Sequence, residues 1–100
     1  MSMRYERHIF FINSKDYWES HKQKFLKWLE ASRNERATHV LIVLDSHNGT
    51  VYPVKVASGE DPKEKEAGTN KNKFQNVVSV YNLSLDLTAQ LSAGLYVFNY

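Results

Sequence analysis

The sequence contains no cysteine, so a disulfide framework, a thiolate zinc site and a cysteine nucleophile are all excluded. Such a chain suits a reducing compartment. Glycine is scarce and scattered, at Gly49, Gly59, Gly68 and Gly94, and no phosphate-cradling loop can be assembled from that spacing. Long apolar runs are missing too: the longest, Ile9 to Ile12 and Val40 to Leu44, fall far below the roughly 20 residues that span a bilayer. No membrane helix is expected. The charged start, Met1 to Arg7, leads into an apolar stretch shorter than the about 7–15 residues of a secretory signal. The expectation is a cytoplasmic protein. Neither sign of charge dominates, with 13 Lys and Arg against 11 Asp and Glu for a net +2, a balance that neither requires nor excludes nucleic acid.

What is present is the composition of a globular chain, 42% hydrophobic and 24% charged over 100 residues. That is enough for one domain, 1–100, and too little for two that each bury a useful core.

Tyr5 to Ile12 is β-branched and aromatic and reads as a first strand. Asn13 follows as a helix cap, with Asp16 reaching back to it and Ile12 and Tyr17 at staple spacing. Trp18, His21, Phe25, Trp28, Leu29 and Ser32 then recur at helical steps opposite Glu19, Lys24, Lys27 and Glu30, so one face of this helix must be buried. Its end is placed near Asn34, although Arg33 to Arg36 holds no strong stop.

His39 to His47 and Thr50 to Ala57 flank Asn48-Gly49, the dipeptide suited to a two-residue type I′ hairpin. That turn sets Asp45 opposite Tyr52, Val43 opposite Val54 and Leu41 opposite Val56. One sheet face carries Leu41, Val43, Tyr52, Val54 and Val56. The other carries Val40, Ile42, Leu44, Val51 and Pro53, interrupted by Lys55. Ser58 to Lys73 is a charged, partly flexible connection in which Asp61-Pro62 can start one or two helical turns that stop at Gly68, before a mobile tip at Thr69 to Lys73. Phe74 to Asn82 returns to strand chemistry. Ser84 to Ala93 suits a short helix capped by Ser84 or Asp86, with Gly94 at its end, and Leu95 to Tyr100 reads as a last strand. The expected fold is α+β: a small mixed or antiparallel sheet of about five strands, one principal helix packed on one face and a short second helix.

Catalytic patterns are weak. His39 and His47 share a strand face but lie about 26 Å apart at strand rise, so they cannot share a metal. Asp45 and His47 can offer two ligands near the turn, with His8 or His21 as a third, and a small hydrolase or metal enzyme built around His21, Asp45 and His47 is the third-ranked reading. No serine stands in Gly-x-Ser-x-Gly context, and paired carboxylates are confined to Glu60-Asp61 and Glu64/Glu66 in the connection. A catalytic residue, a cofactor and a metal are therefore not assigned. The second-ranked reading is nucleic-acid binding through Lys22, Lys24, Lys27 and Arg33 with Lys71 and Lys73, against which stand the acids interleaved with them.

The leading signal is surplus apolar surface. The hairpin is apolar on both faces, and Leu95 to Tyr100 adds aromatics on alternating sides. The second face is covered either by the short C-terminal helix through Leu85, Leu87 and Leu91, or by a second copy or a target protein. The sequence reading therefore places a protein-binding surface at Ile42, Leu44, Val51, Pro53, Tyr96, Phe98 and Tyr100.

His39-Val-Leu-Ile-Val-Leu-Asp45, Tyr52-Pro53-Val54-Lys55-Val56, Gly59-Glu60-Asp61 and Val80-Tyr81-Asn82-Leu83 together resemble a pattern in small uncharacterised bacteriophage proteins. The resemblance spans roughly half the chain, rests on hydrophobic positions, and implies no activity, cofactor or catalytic residue. It implies a phage accessory product that binds a host protein. The expectation is thus a non-enzymatic protein-binding module, homodimeric or directed at a host protein.

Overall fold

The computed structural model describes residues 15–94 and 96–100. The expected strand Tyr5 to Ile12, the Asn13 cap, the Ile12–Tyr17 staple and the Trp18 side chain lie outside the described residues. Helix α1 is Lys15–Asn34. It buries Phe25, Leu29 and Ser32 along one stripe and leaves Glu19, Lys24, Lys27 and Glu30 exposed, as the periodicity requires. Its end explains the missing stop signal. The Ala37 N–H donates to the Ser32 carbonyl and the Arg36 N–H to the Arg33 carbonyl, both at 3.0 Å, the paired bonds of a Schellman ending. That ending needs one left-handed residue, and Arg36 supplies it at φ 65° where glycine or asparagine is usual.

Strands β1, His39–Asp45, and β2, Thr50–Val56, form the hairpin, but its turn is longer than expected. Asp45 faces Thr50, Val43 faces Tyr52 and Leu41 faces Val54, so the loop is Ser46 to Gly49. A type I′ turn needs positive φ at both central residues. Gly49 has it at 72° and Asn48 does not; instead the Asn48 Oδ1 accepts from the Thr50 N–H and hydroxyl at 3.2 and 2.6 Å. The register therefore differs by two residues from the expected one. Because side chains alternate with period two, this shift leaves every residue on the face the sequence assigned.

Helix α2, Pro62–Asn70, starts at Asp61, whose carboxylate accepts from the Lys63 N–H at 2.9 Å. It runs through Gly68, where the sequence reading stops it. Strand β3, Gln75–Asn82, pairs antiparallel with β1, giving the order β2-β1-β3. A register break opposite Ile42/Val43 inserts Val78 as an extra residue in β3. Helix α3, Leu87–Ser92, is capped by Asp86, whose Oδ1 accepts from the Ala89 N–H at 2.8 Å. The sheet thus has three strands among the described residues, where the sequence reading has about five. Residues 96–100 make one parallel bridge, Val80 with Phe98, and no ladder. Gly94 at φ 94° and Tyr96 at φ 62° break the extended backbone at the start of that segment.

Two apolar clusters back onto the sheet. On the even-numbered face, Val40, Ile42 and Leu44 pack with Phe25 and Leu29 of α1, Leu87 and Leu91 of α3, Val78, Tyr81 and Leu83. On the odd-numbered face, Leu41, Val43, Val56 and Val80 form a smaller cluster with Tyr52, Val54 and Val77 around it. Each fully buried Leu, Ile or Phe of the larger cluster contributes roughly 1.5–3 kcal/mol, so α1 and α3 are held mainly by this face. Helix α2 packs against β3 and β1 without burying any of its own residues, and Asn70 fixes its end by accepting from the Val77 N–H at 2.9 Å. The short C-terminal helix therefore shares one face with α1, and the helix inside the charged connection lies on the other.

Candidate functional site

The segment 96–100 runs along the free side of β3 and is tied down by identifiable bonds. The Tyr96 N–H donates to the Val78 carbonyl at 3.0 Å and to the Ser79 Oγ at 2.8 Å. The Val80 N–H donates to the Val97 carbonyl at 2.7 Å and the Asn99 N–H to the Val80 carbonyl at 2.9 Å. The bulge at Val78 is what brings the buried Ser79 hydroxyl to this edge. Gln90 of α3 adds a second tie: its Oε1 accepts from Asn99 Nδ2 at 2.9 Å and from the Asn82 N–H at 2.9 Å, and its Nε2 donates to the Asn82 carbonyl at 2.8 Å.

Alternation along the segment sends Val97 and Asn99 toward α1 and α3, and Phe98 and Tyr100 toward α2. The Phe98 and Tyr100 rings stack at 6.4 Å and 25°. Lys63 of α2 sits over the Tyr100 ring at 5.1 Å, and the Tyr100 hydroxyl donates to the Glu66 carboxylate. That hydrogen bond to an anion pushes the Tyr100 phenol up to about 12, with some desolvation and the Glu66 charge adding to it. His39 at the start of β1 reaches the Tyr100 main-chain oxygen through Nε2 at 2.7 Å and Thr38 Oγ1 through Nδ1 at 2.9 Å.

Despite these anchors, Tyr96, Phe98 and Tyr100 are 46%, 39% and 43% exposed. Because the Val97 carbonyl and the Asn99 N–H turn inward to β3, the Phe98 N–H turns outward. It has no acceptor among the described residues. The segment therefore offers both free main-chain hydrogen-bonding groups and a row of half-exposed rings. Comparison with known protein families, curated proteins and solved structures finds no match.

The other residues expected on a protein-binding surface are dispersed. Ile42 and Leu44 are fully buried under α1 and α3, which corrects their placement on an exposed face: the shared cover of the two helices reaches both. Val51 and Pro53 are half-buried in β2, separated from 96–100 by β1 and β3. Pro53, which has no N–H to give a ladder, sits on the edge strand where that is tolerated.

The six basic residues do not form one surface. Lys24 and Lys27 lie exposed on α1, Lys24 over the Trp28 ring at 5.1 Å, and Lys22 is half-buried. Arg33 lies at the end of the sheet where β1 starts and β3 finishes. Lys71 and Lys73 lie at the opposite end, where the Phe74 carbonyl accepts from the Ser46 N–H at 2.8 Å and Lys73 covers the Phe74 ring at 5.1 Å.

Asp45 ties the hairpin turn. Asp45 Oδ1 accepts from the His47 N–H at 2.9 Å and Oδ2 from Gln75 Nε2 at 2.9 Å. The Gln75 hydrogen bond is the main reason the Asp45 carboxyl lies below its ordinary value, with the His47 and Asn48 amides helping. The His47 ring leans on Phe74 at 5.1 Å, while His21 lies on α1 with its ring 6.5 Å from Phe25. The described geometry gives Asp45 a structural task. Sequence reasoning did not single out Ser79, Gln90 or His39 as anchors, because each acts on a residue far along the chain.

Proposed function

We propose that this chain is a non-enzymatic protein-binding module that receives its partner along the outer edge of residues 96–100. The observation that carries the reading is Tyr96. A bulky L-residue at φ 62° costs on the order of 1–2 kcal/mol relative to the right-handed region, yet folding leaves the Tyr96 ring nearly half exposed. Conformational strain maintained for a side chain that the fold does not bury marks that side chain for contact with something else. Phe98 and Tyr100 continue the row, and the outward Phe98 N–H suits a partner strand added to the edge. Aromatic rings with no charged side chain between them match the core of such interfaces.

The phage resemblance supports a host protein as the partner, with a second copy of the chain as the alternative occupant of the same edge. Among the described residues no helix is long and apolar enough to cross a membrane. Nucleic acid is less favoured because the basic residues are dispersed over α1, the Arg33 end of the sheet and the Lys71 and Lys73 end.

The test replaces Tyr100 in the edge with a photo-crosslinking aromatic and, in that background, compares the otherwise unchanged chain with Tyr96→Gly and Phe98→Asp, alongside sedimentation equilibrium of each. The expected result is a crosslinked partner or dimer whose yield drops at least tenfold in both variants while Tyr96→Gly unfolds no sooner than wild type. Undiminished crosslinking in both variants, or a monomer with no crosslink in a host extract, would overturn the reading.

A further inference from the structure

At the end of the sheet where β1 starts, a cleft of about 350 Å³ is lined by Arg33, Ala37, Thr38, His39, Asn82, Leu83 and Ser84. Its hydrogen-bonding groups are unevenly occupied. Asn82 Oδ1 accepts from the Ser84 N–H at 2.9 Å and from its hydroxyl at 2.6 Å, which fixes the carboxamide with its nitrogen as the free end. The Thr38 hydroxyl and both His39 ring nitrogens are engaged with Val56, each other and Tyr100, and the Thr38 carbonyl accepts from the Leu83 N–H at 2.9 Å. What remains is donor capacity. Among the described residues Asn82 Nδ2 has no acceptor, and their ion pairs, Lys55 with Glu35 and Lys65 with Glu60, leave Arg33 out. Glu30 and Asp86 line the neighbouring cleft that shares Arg33, but neither pairs with it, and Asp86 Oδ1 is occupied capping α3.

We infer that this cleft is a carboxylate-binding site, with the Arg33 guanidinium and the Asn82 amide as its donors and Ala37 and Leu83 as an apolar floor for a short aliphatic arm. Arg33 and Asn82 line the same cleft, and a forked guanidinium combined with an amide NH₂ suits the planar, acceptor-only chemistry of a carboxylate. The volume, at the low end for ligand sites, admits a group the size of a glutamate side chain. The inference stands apart from the aromatic edge and does not depend on it.

The probes are propionate, a free small acid, and N-acetylglutamate α-amide, which carries the same group on a blocked residue. Propionamide serves as neutral isostere and inorganic phosphate as a competing anion, all at one ionic strength. Amide chemical shifts of the full chain are followed by NMR. The expected result is saturable shifts at Ala37, Thr38, Leu83 and Ser84 with both carboxylates, tighter for whichever source the cleft serves, and none with propionamide. Arg33→Gln is expected to weaken binding at least tenfold. So is Asn82→Asp, which keeps the acceptor for Ser84 but replaces the free donor with negative charge. Equal response to propionamide, tighter binding of phosphate, or unchanged affinity in a folded Arg33→Gln chain overturns the inference.

Discussion

Among the described residues, the non-glycine positions Arg36 and Tyr96 occupy left-handed backbone that glycine adopts without penalty. Arg36 ends α1, and nothing else in the described structure requires an arginine there. Arg36→Gly is expected to stabilise the fold by about 1 kcal/mol, read as a higher urea midpoint at unchanged m-value. Arg36→Val is expected to lower it.

Titration gives a second residue-scale check. The Tyr100 phenol is held up at about 12 by its bond to Glu66, so the neutral form is favoured in the folded state. This contribution to stability is full below the ordinary phenol value of 10.0 and is lost as pH rises from there toward about 12. Glu66→Gln is expected to return the Tyr100 transition toward 10.0 in an absorbance titration. Asp45 and Glu60 behave in the opposite sense. Both carboxyls lie below their ordinary values of 3.8 and 4.5, Asp45 through Gln75 and Glu60 through the Ala57 N–H and Lys65. Their stabilising effect is present above those values and is lost as pH falls below them. Acid unfolding should therefore begin at higher pH when Gln75 is replaced by leucine.

At the scale of elements, much was legible because it depends on local pattern. The 3.6-residue stripe of α1, the cap at Asp61, Asp86 as one of two candidate caps beside Ser84, and the face assignments of the hairpin all follow from neighbours in sequence. The hairpin register was not legible in full, since Asn48-Gly49 supports the longer Ser46 to Gly49 loop as readily once Asn48 keeps negative φ. The last segment was legible as aromatic and alternating but not as a strap with a single bridge, because its geometry is set by a bulge in β3. Of the candidate binding residues, Tyr96, Phe98 and Tyr100 could be found from alternation at the end of the sequence. The burial of Ile42 and Leu44 could not, as it needs both α1 and α3 in place. Ser79→Ala tests the strap directly: with one of two acceptors for the Tyr96 N–H removed, the amides of Tyr96, Val97 and Asn99 should exchange faster by about fivefold, corresponding to roughly 1 kcal/mol. Amides of β1 should change far less. By contrast, Leu91→Ala opens a void in the larger cluster and is expected to cost about 2–5 kcal/mol of global stability.

At the scale of the whole molecule, the two outer sides of the sheet formed by the described residues are treated differently. The β2 side carries Pro53 and the exposed Lys55, which pairs with Glu35, and both discourage addition of another strand. The side beyond β3 ends in neutral aromatic residues. Pro53→Val together with Lys55→Val is therefore expected to create self-association through β2, detectable in light scattering as a concentration-dependent mass beyond that of the parent chain.

The central position of β1 has a further consequence in time. Its pairing with β2 closes a short loop, whereas its pairing with β3 joins His39 to Asn82 across the whole of β2, α2 and their connections. Loop closure of that kind is slow compared with hairpin formation. The β1–β2 ribbon should therefore gain protection first in pulsed hydrogen exchange, and the amides of Val80 and Asn99 last. The edge at 96–100 and the Arg33–Asn82 cleft both depend on β3, so neither surface exists until β3 has joined the β1–β2 ribbon, late in folding.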